Sequence, residues 1–99
     1  MSLVADTWSV VVIFALAEHP HRYGELRERI GGISKKMLTQ TLRKLERNGL
    51  VERRRISSSP PGAEYRLTEL GATLREPVRA LSSWAEQHTD ALLEAQAVA

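Results

Sequence analysis

Apolar residues crowd the first stretch of the chain and then thin into periodic stripes. From Trp8 to Ala17 only Ser9 interrupts the apolar run. Trp8, Val11, Val12, Ala15 and Leu16 follow the i, i+3, i+4, i+7, i+8 spacing of a buried helical stripe. Val10, Ile13, Phe14 and Ala17 make the other faces apolar too. The spacing predicts a helix over about 6–18, capped by Asp6 or Thr7. A helix apolar all round sits centrally in its domain or is covered by a partner. Valine-rich runs also suit strands, but the length of this one and its alanines favour helix. Pro20 disfavours helical geometry at His19 and ends the element.

A short helix, "RYGELRERI", follows, with Leu26 and Ile30 on its inner face and Gly31-Gly32 as the break after it. Ser34 is an N-cap for the next helix, Lys35 to about Asn48, because its hydroxyl can accept an orphan backbone N–H. Ile33 before it is placed to pack on Leu38. Met37 stands where a capping box would have Glu or Gln, so no box is expected. Leu38, Leu42 and Leu45, with Thr41, form the inward stripe, and Asn48-Gly49 supplies the stop.

Residues 50–56 and 64–67 then read as two strands around "SSSPPGA", a hairpin with a long tip. Thr68 caps "ELGATLRE". Pro77 is expected to kink or restart the helix there, leaving a last helix over about 78–97. That helix carries Val78, Leu81, Trp84, Ala85, His88, Leu92 and Leu93 along one side. No internal repeat or domain-sized linker intervenes. The expectation is one domain over 1–99, mainly α with a small β-hairpin.

Charge sharpens this outline. The 99 residues carry a net charge of +2, but it is unevenly spread. Eleven basic residues lie between Arg22 and Arg55 against four acidic ones, a balance of +7; three basic and eight acidic residues elsewhere give −5. A basic centre between acidic flanks suits a polyanionic partner, although a solvated charged surface has the same composition. There is no cysteine, which excludes disulfides, thiolate metal sites and thiol redox sensing. The first apolar run has no preceding Lys or Arg and falls well short of the ~20 residues of a membrane span, so it reads as a buried helix and not as a signal peptide or anchor.

Helix, helix, Gly turn, helix and hairpin is the element order of a winged helix-turn-helix, in which the second helix of the motif presents side chains to the DNA major groove. Its outward residues here are Lys35, Lys36, Thr39, Gln40, Arg43, Lys44 and Arg47, with Ser34 at its cap. Lys and Arg suit phosphates or guanine edges, Gln adenine, and Thr either. Glu46 is the helix's only acid, whereas a merely solvated helix usually mixes signs. Arg22 and Tyr23, with Arg53, Arg54, Arg55, Ser57 and Ser58 on the wing, are the candidate anchors on phosphates or the adjacent minor groove.

Other chemistries have less support. His19, His21 and His88 have no companions at metal-ligand spacing, and Gly31-Gly32 lacks the pattern of a phosphate loop. Ser57 to Ser59 have no evident base, so neither an enzyme nor a cofactor is expected. Trp8 and Trp84 fit core or dimer packing better than a ligand pocket.

"ELRERIGGISKKMLTQTLRKLERNGLVERR", "PPGAEYRLTELGATL" and "WAEQH" resemble the HxlR-type winged-helix transcriptional regulators, as does "DTWSVVVIFAL" at the start; the likeness covers about residues 6–88. The resemblance implies a homodimeric, cytoplasmic and nucleoid-associated bacterial or archaeal protein, expected to repress by binding double-stranded promoter DNA. It also implies dimerisation through the first and last helices, for which Trp8, Val10, Ile13, Phe14, Leu81, Trp84, His88 and Leu92 are the candidates. Many members sense oxidants or electrophiles through a cysteine near the N-terminus, and that switch is not expected here. Ser57, Ser59 and Gly62 replace the apolar and basic residues common in the family's wing, so a more mobile tip is expected. The competing reading is a winged-helix module whose basic surface binds an acidic protein.

Overall fold

A computed structural model describes residues 3–57 and 61–98. The elements run α1 (Leu3–Glu18), β1 (His21–Arg22), α2 (Tyr23–Ile30), α3 (Lys35–Arg47), β2 (Val51–Ile56), β3 (Gly62–Leu67), α4 (Glu69–Ala72), α5 (Arg75–Gln87) and α6 (Thr89–Val98). The first helix begins upstream of the expected caps at Asp6 or Thr7. Leu3-Val4-Ala5 contains no Gly or Pro to stop it, so the helix propagates through them.

The first helix is central, packing on α2, α3, β3 and α5. Val12, Ile13, Ala15 and Leu16 are buried, together with Leu26, Ile33, Leu38, Leu42, Leu45, Val51 and Leu67. Fully burying a large aliphatic side chain contributes about 1.5–3 kcal/mol, so this cluster is the main source of stability. Ile13 requires a correction. It was a candidate for the dimer face, but it is only 9% exposed and belongs to the protomer's own core. Trp8 is half-buried and also packs against that core.

The helix-turn-helix follows the sequence closely. Gly31 and Gly32 have φ of 67° and 70°, a region that costs most L-residues energy and glycine nothing. Ser34 Oγ accepts the Met37 N–H at 3.1 Å, which caps α3. Thr41 is buried beside the three leucines, as the periodicity predicts.

The hairpin differs from expectation by gaining a third strand. The sheet order is β1-β3-β2, all antiparallel, with His21 opposite Tyr65 and Arg22 opposite Glu64. Two residues carry no readable alternation, so this strand exists only through its partner. His21 is buried at 3% exposure. Its Nδ1–H donates to the His19 carbonyl at 2.7 Å.

The C-terminal region also departs from the single helix expected after Pro77. Pro77 lies in the first turn of α5, where a missing N–H costs nothing. The break falls instead at His88, φ −116°. There Thr89 Oγ1 donates back to the Ala85 carbonyl at 2.9 Å, a side-chain bond that competes with continued helix. No residue of α5 is buried, and residues 89–97 of α6 are all exposed. The molecule is accordingly elongated, 51 × 28 × 27 Å. Among the described residues no helix is long and apolar enough to cross a membrane.

Candidate nucleic-acid interface

The buried stripe of α3 fixes which residues it turns outward. Ser34, Lys35, Lys36, Gln40, Arg43 and Arg47 are exposed, and Thr39 and Lys44 are half-buried at the margins. Tyr23, at the start of α2, holds this helix in place. Its hydroxyl donates to the Lys35 carbonyl at 3.0 Å and lies 3.1 Å from Thr39 Oγ1. Tyr23 was a candidate phosphate anchor; the structure engages its hydroxyl in the seam between the two helices. Replacing it with Phe should cost about 1 kcal/mol, the usual net value of such a bond, read as a lower urea midpoint with unchanged slope.

Strand alternation divides the three wing arginines, which therefore do not form one surface. Arg54 faces Glu64 in register, and Glu64 in turn faces Arg22. On the same side Glu52 pairs with Arg66 as an ion pair across the hairpin. That side sets Arg22, Arg54 and Arg66 against Glu52 and Glu64, and opposite charges in register stabilise it. The opposite side carries Val51 and Leu67 in the core, then Arg53 and Arg55 beyond its edge.

Arg53 and Arg55 open toward α3. Arg53 and Tyr65 line a 280 Å³ groove with Thr39, Leu42, Arg43 and Glu46. A second groove, of 740 Å³, runs from Glu46, Arg53 and Arg55 to Pro61 and Gly62 near the tip. Glu46 is the only carboxylate in either groove, against Arg43, Arg53 and Arg55. Burial pushes the Tyr65 hydroxyl above the usual tyrosine value, so it stays a neutral donor there.

Arg22 is half-buried, and its guanidinium lies beside Gly62 at the start of β3, 3.2 Å from where a Cβ would stand. Its backbone N–H donates to Glu25 Oε1 at 2.8 Å, the returning half of a capping box. Ser57 is exposed; Ser58, and with it the expectation of a mobile tip at Ser59, lies outside the described residues. Tyr65 and Glu46 were not among the candidate residues. Tyr65 had a signal in the strand alternation, whereas the place of Glu46 emerges only once the wing is set against α3. Among the described residues no three His, Asp or Glu side chains gather as metal ligands.

Of the candidates for the dimer face, Val10 and Phe14 on α1, Leu81, Trp84 and Leu92 on α5 and α6, and His88 between them are exposed. Trp84 and His88 stack with ring centroids 4.8 Å apart.

A helix-turn-helix with an antiparallel hairpin beside its second helix defines a winged-helix protein. The chain belongs to the HxlR-like helix-turn-helix family, whose model matches residues 3–92. It is 45% identical over 83 residues to the HTH-type transcriptional regulator YtfH of Escherichia coli (strain K12), itself uncharacterized, covering 84% of this chain and 66% of that protein. YkvN of Bacillus subtilis (strain 168), named in the same terms, is 40% identical over 82 residues, 83% of this chain and 70% of its own. Among solved structures, ytfH from Salmonella typhimurium, described as a transcriptional regulator, superposes with a TM-score of 0.77 at 38% identity, over 90% of this chain and 80% of that one. The chain thus spans about two thirds of the length of its Escherichia coli relative.

Proposed function

We propose that this protein is a sequence-specific, double-stranded DNA-binding transcriptional regulator that acts without catalysis. It works as a homodimer on a pseudo-palindromic promoter site, represses by occupying that site, and resides in the cytoplasm on the nucleoid. The observation that carries this reading is the net basic surface formed by the outer face of α3 and the α3-facing side of the wing, where Arg43, Arg53 and Arg55 stand against Glu46. Lys35, Lys36, Thr39, Gln40 and Arg43 enter the major groove; Arg53 and Arg55 hold the flanking phosphates. Two such units about a two-fold axis fit half-sites about one helical turn (~34–36 Å) apart, or a multiple of it.

Salt titration of promoter binding tests the proposal. The log–log slope should be steep, about −0.9 per phosphate neutralised. Arg43→Ala should relax base preference at one position, a discrimination of about 1–3 kcal/mol. Arg55→Ala should weaken binding about equally on all sequences and reduce the slope by about one unit. If the protein prefers its upstream region no more than random DNA at physiological salt, the reading fails, and an acidic protein becomes the better partner for the basic surface.

A further inference from the structure

What each residue of α3 can offer a base depends on what its side chain already bonds. Lys35, Thr39 and Arg43 are spaced by four and so share one face of the helix. Lys35 and Arg43 are exposed, while Thr39 is half-buried. Thr39 lines the groove between α3 and the wing with Arg43, Arg53 and Tyr65.

A free threonine hydroxyl can donate to one base or accept from another. Thr39 has lost half of that freedom. The Tyr23 hydroxyl bonds the Lys35 carbonyl at 3.0 Å and Thr39 Oγ1 at 3.1 Å. A carbonyl only accepts, so the single phenolic proton goes to Lys35. The second bond then uses the Thr39 proton, with the Tyr23 oxygen as acceptor. Thr39 is left without a proton for a base. The bond also fixes its stiff, β-branched side chain in one rotamer. With the oxygen drawn toward α2, the branch that remains to meet a ligand is the methyl.

We propose that Thr39 is a specificity-determining residue that reads the C5-methyl group of a thymine in each half-site, and that Tyr23 is the positioning residue that turns the Thr39 methyl toward it. This inference rests on the DNA reading and narrows it. Among the four bases only thymine displays a methyl group in the major groove, and a threonine methyl is one of the apolar groups that suit it. Lys35 and Arg43, one turn to either side, bond phosphates or guanine edges and bracket the apolar contact. Burying one methyl-sized group is worth about fourfold in affinity.

The test replaces each thymine of the promoter fragment in turn by deoxyuridine, which differs only in lacking the methyl. The parent protein is first compared on the unmodified fragment and on random duplex. If it binds the two alike, the promoter reading fails and the Thr39 assignment falls with it. If it prefers its fragment, one thymine per half-site should lose about fourfold in affinity with its methyl. Thr39→Val keeps a methyl without the hydroxyl and should show the same loss. Thr39→Ser keeps the hydroxyl without the methyl and should bind the thymine and deoxyuridine fragments equally. Tyr23→Phe should shrink the loss in the parent but not in the Thr39→Val background, because valine carries a methyl on both branches. The deoxyuridine change alters only the DNA, so a poorly folded variant cannot produce this pattern. With promoter preference intact, three results would each overturn the assignment of Thr39 alone. These are no thymine at which the parent senses the methyl, Thr39→Ser retaining the full loss, and Thr39→Val losing the preference that Thr39→Ser keeps. An unchanged loss in Tyr23→Phe would remove the positioning role of Tyr23.

Discussion

Gly71→Ala is expected to destabilise this protein more than any other single-methyl addition at a glycine. A Cβ at position 71 would stand 2.0 Å from the Leu50 carbonyl oxygen, 3.0 Å from its carbon and 3.3 Å from Leu67 Cβ. The first two are backbone atoms, so no side-chain rotation relieves the clash. Leu50 cannot move freely either, because its N–H donates to Leu45 O at 3.0 Å and its oxygen accepts the Thr68 N–H at 3.1 Å. Thr68 adds two more ties: its Oγ1 donates to Gly49 O at 2.6 Å and accepts the Gly71 N–H at 3.0 Å. The close approach of α4 thus locks the turn that leads from α3 into the wing.

Ordinary overpacking costs about 1–3 kcal/mol, and a clash against fixed backbone belongs at or beyond the top of that range. A loss of about 3 kcal/mol lowers the melting temperature of a domain this size by roughly 12–24 °C. Gly24→Ala is the contrasting substitution. It lies in α2 with nothing within 4 Å of the added carbon, and replacing a helical glycine should be neutral or stabilise by up to about 1 kcal/mol. Thermal unfolding of the two variants side by side decides the matter. A Gly71→Ala protein melting within a few degrees of the parent would show that Leu50 yields.

That glycine illustrates what the sequence conceals. "ELGATLRE" is legible as a helix start because Thr68 is a good cap, but the reason for glycine is a backbone carbonyl twenty-one positions upstream. The helix from Lys35 was legible in full because all its determinants are local: a serine cap, leucines at helical spacing and an Asn-Gly stop. By contrast, the width of the buried face of α1 was not. Val12, Ala15 and Leu16 are buried and Trp8 and Val11 half-buried, as the stripe predicts, but when every face is apolar periodicity cannot mark the stripe's edge, and Ile13 was assigned outward for that reason. The strand at His21–Arg22 has no signal of its own, since β3 supplies it. The break at His88 lacks Gly or Pro, and the visible proline at 77 drew attention to a position where it does no harm. The candidate interface follows the same rule: α3 was read residue by residue, whereas the division of the wing arginines between the two faces of the hairpin required the register.

Removing residues 80–99 should convert the protein to a monomer and weaken promoter binding by roughly 10²–10⁴-fold, the gain that tethering two binding units supplies. The argument starts from exposure. Leu81 is 59% exposed, Trp84 49%, Leu92 41% and Leu93 58%, and on α1 Val10 is 52% and Phe14 43%. Isolated exposed apolar residues are ordinary. Six large ones on three helices, of which α5 has no fully buried residue and the described side chains of α6 are all exposed, need a stabilising partner beyond the protomer. Short helices in water need tertiary packing to persist, so α6 should depend on a second copy. Val78, which packs against the core, is retained in the shortened chain. The winged helix should therefore still fold, giving native-like amide spectra for α3. A second variant, Trp84→Asp with Leu92→Asp in the full chain, reaches the same face without shortening it and should also sediment as a monomer. Were the shortened chain to remain a stable dimer, the C-terminal helices would have no part in assembly. Were the double variant alone to remain dimeric, Trp84 and Leu92 would lie outside the interface.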